Sequence, residues 1–195
     1  MSKTSTIILG TLIAMASSRL FASTGPQFTA LLQELQTPES SDQAAAKLLK
    51  QAKADPEARK YLAANLPPMI EKGPVKCPTW GNVVQLAGDL KIAEAAPALA
   101  KWIGQSTGIG TVTLTQVLRL ENDLAGKALA QIGDPALPVL NDVLKNGSLS
   151  QRTAAVYALR MIASPSSKNS LRLHVNEETD PVLRDFIQNT LEKRN

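Results

Sequence analysis

The chain repeats a pattern of residues at an interval of 30 positions. In both copies an alanine-rich helix is followed by a break and by a polar residue before proline. The matched pairs are Asn122/Arg152, Ala125/Ala155, Ala128/Ala158, Leu129/Leu159, Ile132/Ile162, Asp134/Ser164 and Pro135/Pro165. A fixed period of this length is typical of stacked supersecondary units, because no single unit can bury its own apolar face. The repeat therefore predicts an array that binds over an extended surface.

Helix starts of one kind recur along the chain. A capping residue precedes proline at Asp55-Pro56, Asp134-Pro135, Ser164-Pro165 and Asp180-Pro181. The capping side chain accepts free N–H groups of the first turn, and proline at the first helical position sacrifices no hydrogen bond. Aromatic residues make up only 4% of the chain, while Ala and Leu dominate, which favours helices over strands. The sequence predicts an all-α fold of about ten helices, or about five pairs.

Residues 1–22 have the features of an export signal. Lys3 precedes an apolar run of about 13 residues, which is too short to span a bilayer. Small residues favour cleavage after Ala16 or Ala22. The favoured interpretation is a periplasmic or secreted protein without a stable membrane anchor. A buried N-terminal helix and an organellar presequence are the alternatives.

The rest of the chain divides into three predicted parts. Divergent helical repeats cover 26–72, a loop rich in Gly and Pro covers 73–79, and better-formed repeats cover 80–195. Pro67-Pro68 is predicted to end the helix that Asp55 begins. Gly104–Thr111 reads as an insertion, after which a capping box at Thr113 predicts a long helix reaching Ile132.

The segment 128–140 resembles a HEAT repeat in its short bacterial form, which also occurs in the HEAT-like repeats of phycobilin lyases. The motif consists of an Ala/Leu helix, Gly133-Asp134-Pro135, and a second helix that opens with Pro138-Val139-Leu140. The resemblance is strongest over 122–163 and looser over 80–103 and 180–192, while 164–176 lacks the second proline. It implies an α-solenoid of antiparallel helix pairs with a concave binding face. It implies structural roles, and no catalytic ones, for the Gly-Asp-Pro residues.

The residues that most often carry chemistry are scarce in this sequence. Cys77 is the single cysteine, which excludes an intrachain disulfide, and His174 is the single histidine. Gly108-Ile109-Gly110 lacks the preceding strand and the third glycine of a phosphate-binding loop. Glu177 and Glu178 are expected to lie in a solvated loop. We therefore predict no catalytic residue, no cofactor site and no metal site.

Charge and exposed polar groups suggest the kind of partner. The net charge is +4 and its basic residues are dispersed, which argues against a nucleic-acid partner. A protein or peptide is the expected partner, and Lys101, Asn141, Asp142 and Lys145 are candidates for exposed groups on the second helices of the repeats. A lyase-type or other ligand-binding protein is the alternative. A nucleic-acid-binding protein with a basic inner face is the third alternative, and the dispersed charge argues against it.

Two further expectations concern individual side chains. Arg59, Arg152 and Arg184 each lie near a helix start and are predicted to pair with carboxylates of a neighbouring repeat. Trp102 lies on an apolar stripe and is expected in the core, whereas Trp80 follows Pro78 at a helix start and is expected to be partly exposed.

Overall fold

The computed structural model describes residues 27–105 and 123–192, and every regular element within those ranges is helical. The predicted all-α fold is therefore confirmed. The helices are α1 (27–35), α2 (Ser41–Ala54), α3 (Pro56–Glu71), α4 (Gly73–Lys76), α5 (Trp80–Asp89), α6 (Ala96–Ala100), α7 (Leu124–Ile132), α8 (Leu137–Asn146), α9 (Leu149–Ile162), α10 (Pro165–His174) and α11 (Pro181–Glu192). Short 3-10 turns at Ala93–Ala95 and Asp134–Ala136 lead into α6 and α8.

Side-chain caps explain where several helices begin. The Asp55 carboxylate accepts a hydrogen bond from Glu57 N at 2.9 Å, and Ser164 Oγ accepts one from Ser167 N at 3.0 Å. Asp180 accepts a hydrogen bond from Leu183 N at 2.8 Å. These three caps confirm the sequence prediction. Asp134 differs, because it opens a 3-10 turn without a side-chain cap.

The helices pack in two rows. In the first row α2 contacts α5, α5 contacts α7, α7 contacts α9, and α9 contacts α11. In the second row α3 contacts α6, α6 contacts α8, and α8 contacts α10. Contacts such as α2 with α3 and α8 with α9 join the rows. Each helix therefore packs mainly against helices that are near to it in the chain order.

The core lies between the two rows and consists largely of leucine and alanine. Leu62, Leu99, Leu129 and Leu159 are completely buried, at helical positions taken from both rows. Small residues let first-row helices approach closely: a Cβ placed on Gly88 of α5 would lie 3.0 Å from the Cα of Ala128 in α7. Burial of these apolar side chains supplies the main stabilisation.

Pro67 and Pro68 do not end a helix, which corrects the prediction. Helix α3 continues through both prolines to Glu71. Two backbone N–H donors are lost there, but the buried stripe of α3 requires the helix to continue. That stripe has helical spacing and comprises Ala58, Leu62, Leu66, Met69 and Ile70. Tertiary burial outweighs the local cost of the two prolines.

The predicted loop over 73–79 contains the single helical turn α4. Gly73 has a φ of +72° and redirects the chain after α3, and Pro74 then occupies the first turn of α4. A Cβ at position 73 would lie 2.2 Å from the Trp102 ring. Glycine is thus required there by both its backbone conformation and its close contact.

The prediction of one long helix from Thr113 to Ile132 is wrong at Asp123, where the backbone is not helical. Helix α7 begins at Leu124, because Asp123 has non-helical backbone angles and caps it. The Asp123 carboxylate accepts hydrogen bonds from Gly126 N and from Gly104 N, both at 3.0 Å. Burial raises the pKa of Asp123, and these N–H donors only partly oppose that effect.

Some predicted features lie outside the described residues. They are the export signal at 1–22, the glycines at 108 and 110, and the capping box at Thr113. Among the helices of the described part, none is long and apolar enough to cross a membrane.

Candidate functional site

Polar side chains join neighbouring helices at spacings between 26 and 46 positions. In four of these contacts the partner is 30 or 32 positions away, close to the period of the sequence repeat. The contacts are Ser164 to Asp134, Lys101 to Glu71, Arg59 to the Lys91 carbonyl, and Thr29 to Tyr61. Residues one period apart therefore lie beside each other in space.

The four exposed groups predicted from the sequence lie along the second row. Lys101, Asn141, Asp142 and Lys145 are all exposed. Lys101 Nζ lies 2.7 Å from Glu71 Oε1, and Asp142 accepts a hydrogen bond from Asn146 at 2.7 Å. Neither of the two cavities described below is lined by any of the four. They belong to an open helical face.

A groove lies between α2 and α5, and no pattern in the sequence predicted it. We call it the α2–α5 groove; its volume is about 270 Å³. It is lined by Asp42, Ala45, Ala46, Leu49, Asn82, Gln85, Leu86 and Asp89. Each helix contributes positions i, i+3, i+4 and i+7, which is one continuous helical face. Alanine and leucine form its floor, and the polar residues form its rim.

The rim of the α2–α5 groove carries two carboxylates and no cation. Asn82 Nδ2 donates hydrogen bonds to Ser41 Oγ and to Asp42 Oδ1, both at 2.7 Å. Gln131 Nε2, from α7, donates to Asp89 Oδ1 at 3.1 Å. Within the described residues no Lys, Arg or His nitrogen forms an ion pair with Asp42 or Asp89. Both carboxylates are held in place by neutral amides, and neither is paired with a cation in the described part of the chain.

A second cavity, the α9–α11 pocket, has a volume of about 210 Å³. Its walls are mostly apolar and also include two exposed cations, Arg160 and Lys168. The lining residues are Leu159, Arg160, Ala163, Lys168, Leu171, Thr190 and Leu191. The two ends of the described chain thus carry cavities of opposite charge.

Glu178 forms a buried ionic cluster, and the predicted solvated acidic loop is wrong at this residue. Its side chain is 1% exposed and contacts Arg152 and His174. Burial by itself would raise the pKa of Glu178, but hydrogen bonds from Arg152, the Asp180 N–H and His174 lower it to about 2. The group is therefore ionised at neutral pH.

The three arginines at helix starts fulfil the prediction to different degrees. Arg152 pairs with the Glu178 carboxylate, as predicted. Arg184 donates instead to the backbone carbonyl of Glu178. Arg59 reaches the Lys91 carbonyl at 3.5 Å, at the limit of a hydrogen bond. Arg152 and Arg59 therefore join separate units, whereas Arg184 holds the turn that leads into its own helix.

The two residues of the types most often used in catalysis, His174 and Cys77, are buried and make structural contacts. His174 is buried and its Nε2 lies 3.0 Å from Glu178 Oε2. Cys77 is buried and unpaired, and its Sγ lies 3.8 Å from the Thr79 hydroxyl, which is too weak a base to activate a thiol. In the described ranges no three His, Cys, Asp or Glu side chains cluster closely enough to hold a metal ion.

Trp80 is more buried than expected, and Trp102 is less buried than expected. Trp80 is 4% exposed, and its Nε1 donates a hydrogen bond to the Ile70 carbonyl at 2.9 Å. Trp102 is only partly buried and packs edge-on against Trp80, with ring centroids 6.1 Å apart. Trp80 is buried because α5 packs into the core from its first residue.

Comparisons of the chain with protein-family models, curated proteins and solved structures find no match. Over the described residues, the structure defines the protein as all-helical. The resemblance to HEAT repeats remains a prediction from the sequence motif.

Proposed function

We propose that the chain is an exported, non-enzymatic helical-repeat protein, a HEAT-like solenoid that binds a protein or peptide along its helical surface. The observation that carries this proposal is the set of polar contacts between residues 30 or 32 positions apart. In a stacked array each unit contacts its neighbours, and these four contacts join neighbouring units at the period of the repeat, although other contacts span 26 to 46 positions. The two rows of helices, each packed on the next, also support it.

Binding suits this molecule better than catalysis. In the described ranges, the buried groups Asp123, His174 and Glu178 hold helices in position. The α9–α11 pocket is smaller than the roughly 300–1,000 Å³ typical of ligand sites, which disfavours the small-molecule alternative. The acidic rim of the α2–α5 groove would repel a phosphate backbone, which disfavours nucleic acid.

The array can be tested by native-state hydrogen exchange on the full chain. In a stacked array, each unit depends mainly on its neighbours, so local damage stays local. Glu178→Gln should therefore reduce amide protection in α9–α11 more than in α2 and α3. Equal loss of protection in all helices would contradict the array.

Export can be tested with a reporter. Residues 1–22 fused to alkaline phosphatase should give enzyme activity, because that enzyme matures only in an oxidising compartment. Sequencing the N-terminus of the secreted fusion should locate cleavage after Ala16 or Ala22. An uncleaved, inactive fusion would contradict the proposal of export.

The binding function itself calls for cross-linking followed by affinity purification of the mature chain from its native envelope extract. We expect a protein partner to be retained. Reversing the charges of Lys101, Asp142 and Lys145 tests whether the open face of the second row takes part. Retention of a small molecule without any protein would contradict the proposed function.

A further inference from the structure

We propose that the α2–α5 groove is the docking site for an amphipathic helix of the partner, with two arginine or lysine side chains seven residues apart. This inference rests on the proposed binding function and specifies the chemistry of the partner. Between its two cations, the partner helix would present small or apolar side chains to the floor of the groove.

The floor of the groove suits a helix. Ala45, Ala46 and Leu49 of α2 face Leu86 of α5 across it. Alanine side chains allow a third helix to approach closely, because ridges of one helix pack into grooves between the side chains of others. A recurrent mode of peptide recognition places the apolar face of an amphipathic helix in such a groove, with anchors at i, i+3, i+4 and i+7.

The spacing of the carboxylates sets the spacing of the partner's cations. Asn82 and Asp42 are hydrogen-bonded near the starts of α5 and α2, and the next two turns of both helices line the same groove, so the two helices run in the same direction. Asp89 comes seven residues after Asn82 on α5. At a rise of 1.5 Å per residue, it lies about 10 Å along the groove from Asp42. Positions i and i+7 of a docked helix span the same distance.

Charge selects a cationic partner. Asp89 lies in the last turn of α5, where the helix dipole is negative and disfavours a carboxylate. Its amide neighbour, Gln131, donates a hydrogen bond but no charge. A cation at that end of the groove would neutralise both the carboxylate and the dipole. A second cation would face Asp42 at the other end.

A second copy of this chain, over its described helices, does not provide the two cations that the groove requires. In α1 to α11, no helix carries two lysine or arginine residues seven positions apart. An anionic membrane or a nucleic acid would be repelled by Asp42 and Asp89. The occupant that fits is therefore a basic helix of another protein.

The test uses a fluorescent helical peptide of about sixteen residues, with two arginines seven positions apart and with alanine and leucine between them. Binding to the full chain is followed by anisotropy at low salt. Asp42→Asn and Asp89→Asn should each weaken binding about threefold, and the double variant about tenfold, since each removes one partly exposed ion pair. Asp185→Asn on α11 is the matched control and should change nothing.

Shape and register are tested separately. Ala46→Phe fills the groove and should abolish binding, whereas Ala64→Phe, at an exposed alanine of α3, should not. A peptide with its arginines four positions apart should bind several-fold more weakly, because the cations would then be about 6 Å apart. Circular dichroism checks that each variant folds.

Other results would overturn the inference. These are no binding of the peptide, equal binding of both peptides, or equal loss in Asp185→Asn. A natural partner that is retained equally by wild type and by the Asp42/Asp89 double variant would also overturn it, while leaving the proposed binding function intact. Absence of any protein partner would instead count against the function itself.

Discussion

Arg152 in α9 holds both carboxylate oxygens of Glu178, which lies in the turn before α11. Its Nε is 3.0 Å from Oε2, and its Nη2 is 2.9 Å from Oε1. Its remaining Nη1 donates to the Gly147 carbonyl at 3.0 Å. A single side chain thus ties together the turn before α9, helix α9 and the turn that leads into α11. The turn between α10 and α11 is thereby joined to α9.

Replacing Glu178 by glutamine should destabilise the protein by about 3 kcal/mol, because Arg152 then lacks a counter-charge in a largely buried site. Urea unfolding followed by circular dichroism measures the loss. Glu177→Gln is the control: its side chain is exposed, and the change should stay within about 0.5 kcal/mol. Equal effects at both positions would show that the ion pair contributes nothing.

The same pair should make stability depend on acid pH. Burial would raise the pKa of Glu178, but Arg152, the Asp180 N–H and His174 lower it from 4.5 to about 2. The depressed pKa gives a stabilisation that is complete above about pH 4.5 and is lost as pH falls towards about 2. The difference between wild type and Glu178→Gln should therefore shrink from about 3 kcal/mol at neutral pH to about half that near pH 3. A constant difference would contradict the assigned pKa.

The helical class was predictable from the sequence because its signals are local. Caps such as Asp55 and Asp180 act within one turn of the residues that reveal them. The period of the repeat is also visible in the sequence. Pro67 and Pro68 gave the wrong helix end because their local preference was outweighed by the burial of Leu66 and Ile70.

The sites were not predictable, because they depend on packing between distant segments. Asp42 and Asn82 come together only when α2 lies beside α5, 40 positions later in the chain. In the sequence, Glu178 belongs to a short acidic run that is typical of a solvated loop. Its burial depends on its contact with Arg152, 26 positions earlier. No pattern within one helix carries that information.

Two glycines of α5 should respond in opposite ways to alanine. At Gly88, a Cβ would lie 3.0 Å from the Ala128 backbone and 2.2 Å from Gln131 Oε1, so α5 and α7 must separate or Gln131 must leave Asp89. At Gly81, a Cβ meets only the flexible end of Leu124, at 3.3 Å. Alanine favours helix by up to about 1 kcal/mol.

Gly81→Ala should therefore be neutral or stabilising, and Gly88→Ala should destabilise by about 1–3 kcal/mol, as overpacking does. The midpoint of urea unfolding separates the two variants. If both substitutions stabilised the protein equally, α5 and α7 would not be in close contact at Gly88.

The two tryptophans should differ in what their indole N–H groups contribute. Trp80 Nε1 donates to the Ile70 carbonyl, whereas Trp102 Nε1 is buried without a hydrogen-bond partner in the described structure. Trp80→Phe loses that hydrogen bond and leaves more empty core volume, so it should cost at least about 1 kcal/mol more than Trp102→Phe. Urea unfolding measures both.

Each variant also leaves one tryptophan as a reporter. Emission from Trp102→Phe, in which the buried Trp80 remains, should lie at shorter wavelength than emission from Trp80→Phe, because Trp102 is partly exposed. The opposite order of the emission maxima would restore the burial expected from the sequence. Equal unfolding free energies of the two variants would contradict the larger stabilisation that we assign to Trp80 and its bond to Ile70.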